Sequence, residues 1–565
     1  MNTPQLYKSP VIVPLVPCDV PSAGVPSDHP VPVCVPHTDR YSRPVRRYKS
    51  KTITFRPLPD AAVNKFGQWI TSHDFDDINE DTPSTEQAQM LQDVLMNKLD
   101  EFCPLKTTKV SSRDKAWMNA ELRGLKRRRM REWNKHGKSV KYDKLAKEFE
   151  QKYNAAAEKY LRSKTDGLKE AKPGKANGIL KSMGAKPGDC TDTTTFTLPN
   201  HQNEDLTVEQ SAERIAEHFA SISREFEPLN KDSLPERVKL RLSSKSTPRI
   251  ITEFECYKKI VATKKPQSAV PGDLPSEILK EFAVELAKPT HNLLNKVVQS
   301  ASWPKQWKVE FVTPIPKIPQ PESEDDLRPI ALTSFLSKVM EQFVVMWLME
   351  IIGDKLDFRQ YGGMKGNSTS HYLIELINFI LYNQDSKEPT AVLACLVDFS
   401  KAFNRQDHSI LITKLSDMGV PSWLLKIVIS FLSNRCMVVR YKGVTSGMKT
   451  LPGGGPQGAL LGLFLFLVLI NDVGFCDQMN DLGDVITCKK RLKELNEIHL
   501  KYVDDLTLAE AVSMKTQLRE VAIEDRPQPD PFHARTGLEL IPGTSRVYNQ
   551  LLKTEKCAEN KLCQD

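Results

Sequence analysis

Three carboxylates and a few cations in the second half of the chain have the types and spacing to handle a nucleotide. Lys501-Tyr502-Val503-Asp504-Asp505-Leu506-Thr507-Leu508 sets two adjacent acids between short apolar, β-branched runs, which predicts a strand, a two-residue turn and a second strand. Paired acids at a hairpin tip can hold divalent metal ions where a nucleotide triphosphate reacts. Asp-Asp is also ordinary solvated turn chemistry, so the pair gains meaning only from its company.

Three other segments supply that company. The apolar run Ala391 to Val397 has strand length, ends in Asp398, and is followed by Phe399-Ser400-Lys401-Ala402-Phe403, read as the start of a helix. A carboxylate at the C-terminal end of a buried strand can reach a metal while its backbone stays fixed. The plainer alternative makes Asp398 a helix N-cap. Leu451-Pro452-Gly453-Gly454-Gly455-Pro456-Gln457-Gly458-Ala459-Leu460 is a Gly/Pro-dense turn opening into an apolar helix that runs to Ile470. Such a turn lets backbone approach a ligand, with the Gln457 amide able to touch a base or sugar; a plain loop before a core helix is the alternative. No Gly-Lys-Ser/Thr follows, which excludes a phosphate-binding P-loop. Phe311 to Lys317 and Asp326 to Thr333 read as two short strands around a polar loop. Their Lys317 and Arg328 either grip a triphosphate or simply charge a strand edge.

The rest of the chain must position these groups. Its 565 residues suffice for two to four domains at roughly 150 residues each. With 79 Lys+Arg against 71 Asp+Glu, the net charge of +8 permits a nucleic-acid partner without requiring one. Eleven scattered cysteines with no C-x-x-C pair suggest reduced thiols in an intracellular protein. The N-terminus lacks the features of a signal peptide, and the longest apolar run, Ala459 to Ile470, falls short of the ~20 residues that span a bilayer. A soluble, intracellular protein without a membrane partner is expected, with nucleus and cytoplasm both open; Lys126 to Arg131 is only a candidate localisation signal.

Residues 1–60 are Pro-rich and read as extended. Residues 61–185 read as a basic helical connector, in which Lys126-Arg127-Arg128-Arg129 and Arg131 lie near Trp133, with Tyr142, Phe149, Tyr153 and Tyr160 following. Two readings stay open there: phosphate-backbone contact, or a solvated face whose aromatic stripe packs on a neighbour. A linker and helix occupy 186–254, and from about 255 strands mix with helices as in an α/β or α+β catalytic core.

In order, Lys…Arg-Pro-Ile, Asp-Phe-Ser-Lys-Ala-Phe, Pro-Gln-Gly and Tyr-Val-Asp-Asp resemble the reverse transcriptase of non-LTR (LINE-type) retrotransposons. Pro271-Gly272-Asp273-Leu274-Pro275 with Trp303, Pro304, Trp307 and Lys308 resembles that family's opening segment. Gln360-Tyr361-Gly362 with Lys365-Gly366-Asn367-Ser368-Thr369 resembles its Q-x-G-x-x-x-x-x-S-T stretch. The resemblance runs from about 255 to 510 and implies an α+β right-hand polymerase, with fingers over 255–385 and palm over 386–510. It implies RNA-directed DNA synthesis on an RNA template and DNA primer from deoxynucleotide triphosphates. Asp398, Asp504 and Asp505 would be the catalytic carboxylates, holding two Mg²⁺ ions (Mn²⁺ as an alternative) about 4 Å apart, with the Phe399 carbonyl completing a site. Lys317 and Arg328 would hold the triphosphate. Phe403 would gate the ribose 2′-hydroxyl, and Gln457 with Gly458 would meet the incoming nucleotide and template.

Upstream, Gly24 to Val33, with Asp28 and His29, resembles the last strand of an endonuclease/exonuclease/phosphatase-like domain, without that family's metal-binding acids. The chain departs from the family at Asn404, where Asp is usual, and at Val503, where Ala is commoner. Sixty residues follow Asp505; over 511–565, Val547 to Lys553 resembles the helix before the palm's closing strands, and no thumb or zinc knuckle is expected. The expectation is therefore a truncated polyprotein. Its rivals are an inactive, nucleic-acid-binding relic and an RNA-templated RNA polymerase, the latter opposed by Phe403.

Overall fold

The computed structural model describes residues 50–75, 82–111, 115, 117–169, 196, 206–264, 270–318, 320–385, 390–399, 401–472, 497–513 and 546–548. Gly24 to Val33 and most of the 186–205 linker lie outside them. In chain order the elements are β1 (Ser50–Phe55), α1 (Asp60–Ser72), α2 (Ser84–Phe102), β2 (Lys106–Ser111), α3 (Ala120–His136), α4 (Val140–Lys169), α5 (Val208–Ser223), α6 (Glu236–Ser243), α7 (Glu253–Ala262), α8 (Ser276–Glu281) and α9 (Ala283–Ser300). They continue as β3 (Val309–Pro316), β4 (Leu327–Leu332), α10 (Phe335–Ile352), α11 (Thr369–Gln384), β5 (Thr390–Asp398), α12 (His408–Asp417), α13 (Ser422–Leu432), β6 (Arg435–Tyr441), β7 (Val444–Thr445), β8 (Lys449–Leu451), α14 (Leu460–Leu469), β9 (Glu497–Tyr502), β10 (Asp505–Ser513) and β11 (Arg546–Tyr548). Two compact units result, one from the described residues of 50–53 and 107–165, the other from those of 54–106 and 166–565.

The first unit is dominated by a hairpin of α3 and α4. Asn119 starts α3 by accepting the Leu122 N–H at 2.8 Å, and Gly137, at φ +64°, ends it while donating to the Trp133 carbonyl. Ser139 then accepts the Tyr142 N–H at 3.1 Å to start α4. The aromatic stripe makes contacts within the hairpin while staying partly exposed: Tyr153 and Tyr160 flank Trp117 at 5.9 and 5.7 Å, Tyr142 meets the exposed Trp133 at 4.9 Å, and Arg129 lies over Phe149 at 4.8 Å.

The second unit holds two sheets and a central helical core. One sheet has the order β11-β5-β10-β9, every pairing antiparallel. The other has the order β4-β3-β6-β7 with β8 also on β6, and β3 runs parallel to β6. The apolar run after the glycine-rich turn becomes α14, whose Leu461, Leu465, Phe466 and Leu469 are fully buried among residues such as Val339 and Leu411. A helix apolar all round can only be central. Phe66, Leu91, Leu95 and Leu99 join the same core, so α1 and α2 group with the two-sheet unit rather than with α3 and α4. Helix α5 buries Ala212, Ile215 and Phe219 on the β3–β4–β6 sheet.

Two expectations are corrected. Arg546–Tyr548 is a strand, where the start of a helix was expected: Val547 lies opposite Cys395, giving β5 a second antiparallel neighbour and its backbone groups partners. Asp398 is not a helix N-cap. Turns occupy 401–405, and α12 begins only at His408, capped by Asp407, which accepts the N–H groups of Ser409 (2.7 Å) and Ile410 (3.1 Å).

Candidate active site

The site is built from sheet register. Strand β5 ends at Asp398, β9 ends at Tyr502, and Val503-Asp504 is the tight turn into β10, whose first residue, Asp505, pairs with Asp398 on one side and Tyr502 on the other. Directly opposed residues in an antiparallel ladder have Cα atoms about 4.5–5.5 Å apart. The three expected carboxylate residues therefore share one end of one sheet. Asp504 is half-buried and Asp505 exposed; the side chain of Asp398 lies outside the described set. Among the described side chains no three His, Cys, Asp or Glu converge as a metal cluster. The donor set at this edge is all carboxylate and carbonyl oxygen, the chemistry that suits Mg²⁺.

The turn is held from behind. Residues 359–361 run beside β9: Lys501 N–H donates to the Arg359 carbonyl (3.0 Å) and Tyr361 N–H to the Lys501 carbonyl (2.8 Å). Gln360 Oε1 accepts from Gly362 N–H (2.9 Å) and Val503 N–H (3.0 Å). Val503 sits at φ +59°, a left-handed conformation that strains a β-branched residue by about 1–3 kcal/mol. Beneath the turn, the Lys501 ammonium meets Asp357 at 2.8 Å and donates to the carbonyls of Ile470 (3.1 Å) and Asn471 (2.8 Å) at the end of α14. Arg359 closes a two-bond fork on Asp357 at 2.9 and 3.0 Å. Burial pushes the Asp357 carboxyl up, but Lys501 and Arg359 outweigh it and hold it below the usual range.

The glycine-rich turn is fastened to the segment after Asp398. Gly454 N–H donates to the Gln406 carbonyl (2.9 Å), Gly455 N–H to the Phe403 carbonyl (2.7 Å), and buried His408 donates from Nε2 to the Gly454 carbonyl (2.7 Å). Gly454 has φ +81°, and a Cβ there would lie 2.7 Å from the Asn404 carbonyl oxygen. Farther along, the Gln457 carbonyl accepts the Ala331 N–H at 2.8 Å, bringing the Gln457-Gly458 pair against β4. Glu341 of α10 accepts the N–H groups of Leu460 (2.8 Å) and Leu461 (3.1 Å), a carboxylate at the start of α14.

Lys317 and Arg328 sit at the loop end of the β3–β4 hairpin, both exposed. Arg328 faces Ile315, and Lys317 N–H donates to the Asp326 carbonyl at 2.7 Å, so the two cations are diagonal neighbours. The same tip reaches the segment after Asp398 through Asp325, which pairs with Lys401 at 2.8 Å. Phe403 is half-buried, its ring stacked on Phe466 at 4.9 Å.

All nine expected site residues thus fall on two sheet ends and two loops of this unit. The sequence names Gln360 only as part of the Q-x-G stretch, without a role, and gives no role to Asp357, Arg359, Glu341 or His408. A lysine opening an otherwise apolar hairpin, and a Gln one residue after an Arg and two before a Gly, were the available signals.

A mixed helix-and-sheet unit with paired acids on a hairpin beside a third strand-end acid is the arrangement a palm-type polymerase domain would use. Residues 315–525 match the family model described as reverse transcriptase (RNA-dependent DNA polymerase). The chain is 29% identical over 259 residues to the "Probable RNA-directed DNA polymerase from transposon BS" of Drosophila melanogaster, covering 45% of this chain and 28% of that protein. It is 27% identical over 281 residues to the "RNA-directed DNA polymerase from mobile element jockey" of the same species, covering 46% and 29%. A "Probable RNA-directed DNA polymerase from transposon X-element" matches at 28% over 229 residues, covering 40% and 25%. The reverse transcriptase domain matched at 315–525 is similar to those of LINE-type, non-LTR retrotransposon polymerases, an enzyme family. The chain spans under a third of the length of these relatives.

Proposed function

We propose that this chain carries the nucleotide-adding centre of an RNA-directed DNA polymerase, which extends a DNA primer on an RNA template with deoxynucleotide triphosphates. The observation that carries the reading is the register pairing of Asp505 with both Asp398 and Tyr502. Asp398, Asp504 and Asp505, with the Phe399 carbonyl, would hold two Mg²⁺ ions. When bound, such ions acidify the primer 3′-hydroxyl and neutralise the triphosphate and departing pyrophosphate. Lys317 and Arg328 at the β3–β4 tip attract and orient the triphosphate. Gln457 and Gly458 line the nucleotide and template side, and the Phe403 ring excludes a ribose 2′-hydroxyl. Gln360 and the Asp357–Arg359–Lys501 cluster hold the acidic turn in place.

The test is primer extension by the purified chain on an RNA template with Mg²⁺, beside Asp504→Asn/Asp505→Asn. Extension that disappears in the double variant supports the reading. A folded chain that binds template and primer but adds no nucleotide is instead a nucleic-acid-binding relic.

A further inference from the structure

The positive charge of this protein is concentrated in one element pair. Residues 120–165 hold fifteen Lys/Arg against six Asp/Glu, a net of +9, so the chain's overall +8 leaves the remainder close to neutral. Helix α4 intersperses acids among its cations and pairs some of them: Lys152 meets Glu121 of α3 (2.6 Å) and Glu148 (3.1 Å), and Arg162 meets Glu158 (2.6 Å). Helix α3 concentrates its cations. Between Glu121 and Glu132 it carries Arg123, Lys126, Arg127, Arg128, Arg129 and Arg131 with no acid among them.

Two of these are used inside the unit, since Arg129 covers Phe149 and Arg123 has partners of its own. Arg127, Arg128, Arg131 and Lys135 are exposed and have no ion pair or hydrogen bond among the described residues. At 3.6 residues per turn the four fall within an arc of about 100°, turned away from buried Leu122 and Leu125. They extend along about 12 Å of helix axis, matching three to four phosphates at the ~3.4 Å rise of one strand. Like charges at helical neighbour spacing destabilise the isolated helix, and an anionic partner along this face removes that penalty.

From this arrangement we infer that the outer face of α3 is a phosphate-backbone contact for duplex nucleic acid, independent of sequence. Guanidinium groups suit the role because their planar forks match phosphate oxygens. Over residues 127–135 the arc itself carries only cationic side chains, with exposed Met130 and Trp133 lying outside it, so this face offers charge rather than an apolar anchor.

The test uses the full chain with Asp504→Asn/Asp505→Asn, so that nucleotide addition plays no part. Fluorescence anisotropy follows binding to a labelled RNA–DNA hybrid of arbitrary sequence across a salt series. Arg127→Gln/Arg128→Gln/Arg131→Gln/Lys135→Gln should keep the helical circular dichroism, lower affinity more than about tenfold near 0.1 M salt, and reduce the slope of log K against log salt by about 3, near 0.9 per lost contact. Arg162→Gln, removing a cation already paired, should leave slope and affinity unchanged. An unchanged slope in the quadruple variant overturns the inference, as does absence of binding by the parent. Loss of binding to phosphatidylserine vesicles with hybrid binding intact overturns it too, assigning the face to membranes. The outcome is separate from polymerase activity: a chain that adds no nucleotide but shows the slope change still bears out the contact.

Discussion

Gln360 Oε1 accepts the backbone N–H of Val503 at 3.0 Å, tying the Gln-x-Gly segment to the turn that carries Asp504 and Asp505. Gly362 makes this approach feasible. A Cβ there would stand 2.5 Å from Val503 N and 2.6 Å from its Cγ2, closer than real contacts allow. Gly362→Ala must therefore push the acidic turn outward, and a displacement on the 1 Å scale costs on the order of 10²-fold in rate. Gln360→Ala frees two backbone donors, a loss of about 1–3 kcal/mol each if they stay dry. Single-turnover primer extension should show Gly362→Ala depressed mainly in the rate of addition, with template–primer affinity nearly unchanged. Equal loss of both would mean general unfolding instead of a displaced turn.

The buried cluster below that turn sets a second expectation. Asp357 is the carboxylate between Lys501 and Arg359, with both ionic contacts almost fully buried. Asp357→Asn keeps the shape but leaves two cations opposite a neutral amide, which should cost about 3–5 kcal/mol at neutral pH by chemical denaturation. The pH dependence has a definite sign. The folded carboxyl lies below its ordinary 3.8, so its contribution is complete above 3.8 and is lost as pH falls through the lower folded value. The gap between native and variant should therefore shrink in strong acid. A gap that stays constant from neutral to acidic pH would refute the ionic account.

Reading the chain alone located the acids, the glycine-rich turn and the β3–β4 cations, because each lies in a local pattern: a strand ending in Asp, a Gly/Pro run before an apolar helix, a two-residue turn. The supports were not legible that way. Gln360 and Val503 are far apart in sequence and meet only because 359–361 runs beside β9. Asp407 took the capping role offered to Asp398, since the intervening turn at 401–405 depends on how Gly454 and Gly455 dock on it. Arg546–Tyr548 took strand geometry from its neighbour β5, a tertiary pairing that the resemblance of Val547 to Lys553 to a helix does not carry.

His408 gives the glycine-rich turn an acid-sensitive tie. Burial lowers its imidazole below the ordinary 6.5, against the opposing pull of the Gly454 carbonyl, so the ring is neutral in the folded protein. As pH falls below 6.5 the unfolded chain takes up the proton first. Stability is then lost, by at most about 1.4 kcal/mol per pH unit, until the folded value is reached. His408→Gln can keep a donor toward Gly454 without titrating. Denaturation midpoints between pH 7 and 5 should fall more steeply for the native chain than for His408→Gln; parallel curves would show that this histidine does not contribute.

The ring of Phe403 has two tasks that one substitution can separate. Stacked on Phe466 at 4.9 Å, it is part of the packing around α14, so Phe403→Ala should destabilise the fold, by less than the 3–5 kcal/mol of a fully buried Phe because the side chain is only half-buried. Reduced stability lowers deoxy- and ribonucleotide addition alike, because both draw on the same folded fraction. A gate acts on their ratio. If the ring blocks the 2′-hydroxyl, Phe403→Ala should raise kcat/KM for ribonucleotides relative to deoxynucleotides by at least tenfold, about 1.4 kcal/mol of lost discrimination. Phe403→Tyr, which preserves bulk, should leave the ratio near that of the native chain. Competition between the two sugars on one primer–template measures the ratio independently of how much enzyme is folded. An unaltered ratio in Phe403→Ala would remove Phe403 from the sugar-discriminating role and leave it as a packing residue against Phe466.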